Sequence, residues 1–391
     1  MWFIVGAAAF QIYADIAFAL AAIVLCAFLI LVDLCHLRIL NNRRAELTEQ
    51  TMYEIEHVLL VNLGSPKSLD VQDVHTYLKE FLSDDLVIDL PKPVQQFILR
   101  CFILPFRPKK TKEAYELIWS DHGSPLLLNT QKIADALSKQ TGWRVDVAMR
   151  YQEPSLRGAI TRLKKDGIKN TIVVPLYPHN AMSTTTTTEN AIAEIIKDVY
   201  PELQMNYLRP FFDHPSYIHA LARSIERGLP NKPQQLLFSY HGIPERHVRK
   251  PDPTGSHCLS SPDCCATDCE ASNFCYRSNV FTATEKVVEE LGMESEDWSI
   301  TFQSRVTIID PKWLQPYTDK VLEKLPDQGI TDVAVVCPSF VADCLETLEE
   351  INIRGRKTFM DAGGQTFTWV PCMNESPEFI HCLETVISEL D

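Results

Sequence analysis

A histidine, a row of carboxylates and a knot of cysteines are the residues that could do chemistry. His241 closes a run of buried-strand character, Ser239-Tyr240-His241, and is followed by Gly242-Ile243-Pro244. An imidazole at a strand end can take up and release protons near neutral pH, whereas a histidine inside a core serves only as a hydrogen-bonded structural group. Asp343, Glu346 and Glu350 stand at i, i+3 and i+7 in a segment of helical pattern behind another apolar run. On an α-helix that spacing puts all three carboxylates on one face, able to line a cleft and handle a divalent cation; the plainer reading is that acidic residues in a first turn favour the helix dipole. A proton acceptor and a carboxylate row meeting in one cleft suit a reaction that removes protons and handles a cation.

Five of the 12 cysteines, Cys258, Cys264, Cys265, Cys269 and Cys275, fall in one short segment rich in Ser, Pro, Asp and Ala. Four thiolates at such spacing hold either a zinc ion or an iron-sulfur cluster, and spacing alone does not choose between them. The adjacent pair Cys264-Cys265 is awkward for either, because neighbouring side chains diverge unless the backbone bends. No cleavable signal peptide is evident, so a reducing, cytoplasmic setting is expected and paired disulfides are the weaker reading.

Eight short apolar runs rich in β-branched or aromatic residues read as the buried strands that must position these groups: 58–64, 143–151, 171–177, 203–209, 235–241, 299–305, 332–338 and 366–371. Helical patterns lie between them at 129–141, 190–199 and 278–291. The alternation predicts an α/β chain with parallel sheets flanked by helices, and Pro230 and Pro233 mark a break between two similar halves, 52–230 and 231–391. Ligands of such sheets bind beyond the carboxyl ends of the strands, which is where His241 and the acidic row fall. No strand runs into G-x-G-x-x-G or G-x-x-x-x-G-K-[ST], so a nucleotide cofactor has no glycine loop to hold its phosphates.

The first insertion, 86–107, places Phe97, Phe102 and Phe106 among prolines and aliphatics; it predicts a satellite core or an apolar lip for a greasy ligand or a membrane surface. The second, 256–277, carries the cysteines. At the amino end, 16–32 is apolar or small throughout and is followed by Arg38, Arg43 and Arg44. This segment within 1–51 reads as an uncleaved anchor in an inner membrane with the folded part on the cytoplasmic side, or as an over-extended start before Met52. The 391-residue chain has 46% hydrophobic and 23% charged residues, which is globular, and its net charge of −14 excludes a nucleic-acid partner.

Val58-Leu-Leu-Val-Asn-Leu-Gly-Ser-Pro66, Tyr-His-Gly-Ile-Pro at 240–244, Phe-Gln-Ser-Arg at 302–305, Trp313-Leu-Gln-Pro316 and Asp343-Cys-Leu-Glu-Thr-Leu348 together resemble the ferrochelatases, in order and over about 58–390. The resemblance implies two Rossmann-like domains with a porphyrin between them, and insertion of ferrous iron into protoporphyrin or coproporphyrin at the end of haem synthesis. It makes His241 and Glu346 the catalytic pair, with Asp343 and Glu350 continuing a path for the substrate iron. Arg150, Tyr151, Ser124, Tyr177, Trp313 and Phe340 match positions of the porphyrin pocket. Many members carry a histidine where this chain has Cys344, and a thiol there would favour softer metal ions. Some bacterial members bind a [2Fe-2S] cluster through four cysteines of one internal insertion, and 258–275 resembles that type; the animal type takes a ligand from the position of Met182. The competing reading is a membrane-tethered, cluster-bearing porphyrin-binding or sensor protein without turnover. Intact His241 and Glu346 argue against it. The oligomeric state is not legible.

Overall fold

The computed structural model describes residues 55–267, 269–306 and 310–390. All eight expected strands form: β1 (Val58–Asn62), β2 (Val145–Met149), β3 (Asn170–Pro175), β4 (Gln204–Tyr207), β5 (Gln235–His241), β6 (Trp298–Gln303), β7 (Asp332–Val336) and β8 (Thr366–Trp369). They build two four-stranded sheets, ordered β2-β1-β3-β4 and β6-β5-β7-β8, and every pairing is parallel. The two halves thus share one topology. Val58 to Val61 are fully buried because β1 is interior to its sheet and covered on both faces, which explains why it reads as an unbroken apolar run.

Helices complete the first half: α1 (Val71–Leu82), α2 (Lys92–Ile98), α3 (Arg107–Glu116), α4 (Pro125–Thr141), α5 (Leu156–Asp166), α6 (Thr187–Val199) and α7 (Pro215–Gly228). In the second half come α8 (Glu245–Arg249), α9 (Tyr276–Leu291), α10 (Thr318–Lys324), α11 (Arg356–Asp361) and α12 (Pro377–Ser388). Leu156, Ile160 and Leu163 of α5 and Ile192 of α6 press on Leu59, Val61 and Val173 of the first sheet. In the second, Leu322 of α10 and Phe359 of α11 pack with Leu237, Val333 and Val335. Helix α12 packs on both α7 and α4, so the end of the chain ties back to the first half, and residues from Glu56 onward form one compact unit.

Three segments wind as π-helix rather than α-helix: Leu99–Ile103, Met182–Thr186 and Glu346–Gly355. Single π-turns tend to mark functional sites, since the extra residue per turn is paid for only where a side chain must be re-aimed. The last corrects the helical face expected for the acidic row: Asp343 precedes the π-helix, and only Glu346 and Glu350 lie on it.

The insertion 86–107 forms the satellite core expected of it and leaves three of its rings exposed. Ile88, Leu99, Ile103 and Leu104 join Val74, Leu78, Leu82 and Tyr151 in a satellite core, while Phe97, Phe102 and Phe106 are 59%, 52% and 66% exposed. The expected membrane anchor lies outside the described residues. Among the described residues no helix is long and apolar enough to cross a membrane.

Candidate active site

His241 is the last residue of β5 and sits beside Gln303, the last residue of β6, in parallel register. Its Nδ1 lies 2.7 Å from the carbonyl oxygen of Gly242. A carbonyl can only accept, so Nδ1 carries the ring proton and Nε2 keeps a free lone pair. The neutral imidazole is therefore held in the tautomer of a base. The Phe340 ring meets it edge-on, with centroids 6.2 Å apart. Gly242 is required by close approach: a Cβ there would stand 2.8 Å from the Gln303 carbonyl oxygen and 3.5 Å from the Trp313 ring.

Gln303 links this histidine to the acidic row. Its Nε2 donates to the Glu346 carbonyl at 3.0 Å, while its Oε1 accepts from the Ser239 hydroxyl at 2.7 Å and from the Cys337 thiol. Sequence reading missed this residue, although it stands in Phe-Gln-Ser-Arg; a buried glutamine at a strand end was the available signal. The next residue, Ser304, adopts φ 65°, a backbone conformation costly for a side chain bearing a Cβ. That turn aims its N–H at Glu350 Oε1, 2.8 Å away, and its hydroxyl at Glu350 Oε2. Burial pushes the Glu350 carboxyl above its ordinary pKa, and the Ser304 hydrogen bonds oppose the rise.

The first half contributes to the same place. Tyr77 of α1 and Tyr115 of α3 are buried side by side, their hydroxyls driven up by burial and by the charge of Glu346 or of one another, and both lie near Cys344. The Arg107 guanidinium lies in the field of Glu346 and Glu350. Burial, with Glu346 beside it, also pushes the Cys344 thiol well above its ordinary pKa.

Asp343 plays a different part. It is 6% exposed and accepts from the Thr347 hydroxyl and the Cys372 N–H, both at 3.1 Å, and from Asn374 Nδ2 at 2.8 Å. Its oxygens are committed to holding the turn ahead of the π-helix.

Arg150 and Tyr151 gather around Asp84, a residue sequence reading did not single out. Arg150 reaches Asp84 Oδ2 at 2.6 Å and the Tyr151 hydroxyl reaches it at 2.9 Å. Thr187 donates to the same oxygen and accepts from Arg150 Nε at 3.0 Å. Hydrogen bonds from Thr187 and its neighbours, with the Arg150 charge, hold Asp84 below its ordinary carboxyl range against the cost of burial. A cavity of about 770 Å³ opens here, lined by Arg150, Tyr151, Asp84, Thr187 and neighbours from the first half alone. It contains neither His241 nor Glu346. The expected pocket positions thus divide: Phe340 lies against His241 and Trp313 beside Gly242, while Arg150 and Tyr151 line the separate cavity. Ser124 caps α4 with its hydroxyl buried and unpartnered, and Tyr177 lies buried beside Thr188.

In the cysteine segment, Cys258, Cys264 and Cys275 are buried and Cys265 is partly so. A 3₁₀ turn, Cys264–Ala266, bends the adjacent pair until the two sulfurs are 4.0 Å apart, which resolves the divergence expected of neighbours. The thiols of Cys258 and Cys265 both lie near that of Cys275. Arg277 Nη1 stands 3.0 Å from Cys265 Sγ and 3.7 Å from Cys264 Sγ. Cys269 instead faces Ser272 Oγ at 3.7 Å. Among the described residues no three His, Cys, Asp or Glu side chains close on one point at metal-ligand distance.

A sequence model of the ferrochelatase family matches residues 56–390. The ferrochelatase of Pseudomonas fluorescens (strain SBW25) is 42% identical over 331 residues, covering 84% of this chain and 96% of that protein. The ferrochelatase of Stutzerimonas stutzeri (strain A1501) is 41% identical over 344 residues, covering 88% and 98%. The solved structure of SirB from Bacillus subtilis with Fe3+ superposes with a TM-score of 0.50 at 12% identity, over 86% of this chain and 95% of that one, a likeness of fold.

Proposed function

This chain belongs to the ferrochelatase family and is a lyase that inserts ferrous iron into a porphyrin in haem biosynthesis, and from that premise we propose that His241 is the proton acceptor and Glu346 its acidic partner. Metallation expels two pyrrole N–H protons, so the site must remove protons while it delivers a partly desolvated cation. The observation that carries the assignment is the Nδ1 bond to Gly242, which in the neutral ring puts the lone pair on Nε2. Glu346 opens the π-helix with its backbone fixed by Gln303, and its side chain takes the iron or the second proton. Glu350 extends that path, while Asp343 anchors it from behind. Phe340 and Trp313 supply flat apolar area beside the histidine for a planar ring, and the exposed phenylalanines of the lip suit a porphyrin, proto- or coproporphyrin, arriving from an apolar surface.

Metal insertion into porphyrin by the purified chain tests the pair. His241→Ala is expected to leave the fold intact and cut turnover by far more than tenfold; a variant keeping over a tenth of the wild-type rate contradicts the role. Glu346→Gln is expected to behave alike. If it does not, the carboxylates form a redundant metal path.

For the cysteine segment the reading is a [2Fe-2S] cluster on Cys258, Cys264, Cys265 and Cys275. The reading rests on four thiols, three of them buried, in one stretch of the segment beside the Arg277 guanidinium, whose charge opposes the rise that Cys275 and burial impose on the Cys265 thiol, while Cys269 is turned aside. Bound there, the cluster supplies structural cross-linking to a segment poor in apolar side chains. Purified anaerobically, the protein should be red-brown with iron and acid-labile sulfide in equal amounts, and Cys258→Ser should lose the colour. Colourless protein with one zinc per chain would put zinc in its place.

A further inference from the structure

Strand β7 pairs with β5 only as far as Phe238, so on that side the peptide groups of His241 have no strand partner. Two side chains take its place. The His241 N–H donates to Ser339 Oγ at 3.0 Å, the Tyr276 hydroxyl donates to the His241 carbonyl at 2.8 Å, and Tyr276 Oη and Ser339 Oγ are 2.8 Å apart. One assignment of protons satisfies all three contacts. The tyrosine proton goes to the carbonyl, the serine proton to the tyrosine oxygen, and the serine lone pair receives the histidine N–H. This closed ring fixes both backbone polar groups of His241, the residue directly ahead of the Gly242–Ile243 peptide whose carbonyl meets the imidazole.

Tyr276 is 5% exposed and is the first residue of α9. The residue before it is Cys275, whose buried thiol lies near those of Cys258 and Cys265; the residue after it is Arg277, whose guanidinium reaches Cys264 and Cys265. Within the first turn of one helix, neighbours therefore face opposite ways, one to the histidine and two to the cysteines.

We propose that Tyr276 is a positioning residue for His241 and that, through Cys275, the ordering of the cysteine segment sets the orientation of the His241 imidazole. The inference rests on His241 being the proton acceptor. It gives the insertion a physical route to turnover without placing any cysteine in contact with porphyrin.

The test compares the full-length wild type with Tyr276→Phe, Ser339→Ala, the double variant, His241→Ala and Cys275→Ala. Turnover is followed with ferrous iron and porphyrin, and ring tautomers by ¹⁵N NMR of histidine-labelled protein without substrate. Tyr276→Phe is expected to lower kcat about tenfold, the worth of one well-placed hydrogen bond, with porphyrin KM unchanged within about twofold. The double variant should be no slower than the worse single one, since opening the ring at either bond opens it. The Nδ1–H resonance absent from His241→Ala should shift in Tyr276→Phe. A kcat loss below about threefold, or one tracked by KM, overturns the positioning role. Cys275→Ala should move the same resonance and lower kcat with KM unchanged; an unmoved resonance overturns the coupling, and if that variant yields no folded protein Cys258→Ala gives the same readout. Near wild-type turnover in His241→Ala overturns the proton-acceptor reading instead, independently of the tyrosine.

Discussion

The ring of His179 is enclosed by those of Phe212, Tyr240 and Tyr276, at centroid distances of 6.2, 5.3 and 6.0 Å, and neither of its nitrogens has a hydrogen-bond partner. Burial alone drives its pKa down to about 3. An unfolded histidine titrates near 6.5. Between those values the unfolded chain binds a proton that the folded one refuses, so this residue's contribution to stability falls as pH drops through 6.5 and keeps falling towards 3. His247, lowered by burial, adds in the same sense, whereas the lowered carboxylates Asp84 and Asp89 act only below about pH 4. The loss in Tm between pH 7 and pH 5 should therefore be clearly smaller for His179→Gln than for wild type; parallel losses in the two proteins would mean that His179 is hydrated or charged when folded.

The carboxyl ends of β5 and β6 act as one element, because each supplies what the other's terminal residue lacks. His241 and Gln303 are in register, Gly242 N–H donates to the Gln303 carbonyl at 2.8 Å, and the Gln303 amide spans to the π-helix. Gln303 is 3% exposed, so Gln303→Leu leaves the Ser239 hydroxyl with only Thr318 Oγ1 and takes a donor from the Glu346 carbonyl. The expected cost is about 1–3 kcal/mol in denaturant unfolding, with kcat lowered because the π-helix loses the bond that sets its first residue. Unchanged turnover in a destabilised variant would show that Glu346 needs no such support. Gly242→Ala meets a backbone oxygen that has no room to retreat, and should be worse than Gln303→Leu in both measurements.

Over the whole molecule, the family match begins at residue 56 and every residue assigned to the site lies after it. A chain started at Met52 should consequently fold and metallate porphyrin at the full-length rate in detergent-free buffer. Aggregation or loss of turnover would mean that 1–51 packs on the domain or brings the porphyrin to it. The two sheets share an order, yet only the second carries the proposed proton acceptor, while the Arg150 cavity stands at the corresponding end of the first.

The sequence by itself determined the eight strands, because interior parallel strands need unbroken apolar runs such as Val58 to Val61 and such runs have few other uses. The place of His241 was legible as well, since a strand's last residue is its exit to any site beyond the sheet. What followed from tertiary structure was of another kind. That Asp343 holds a turn and Glu350 is bound by Ser304 depends on partners far along the chain, Asn374 and Ser304, that no periodicity brings together. The π-helix was illegible for the same reason: its winding is fixed by Gln303 and Ser304 at its flank, against the three-and-four spacing that Asp343, Glu346 and Glu350 display as letters. Cys264 and Cys265 looked divergent until a 3₁₀ turn and one arginine drew their sulfurs together. Long-range hydrogen bonds to side chains carry no local signature, because the same glutamine, serine or tyrosine is equally at home on a surface. Only the folded backbone decides which of them is aimed at another residue's carbonyl.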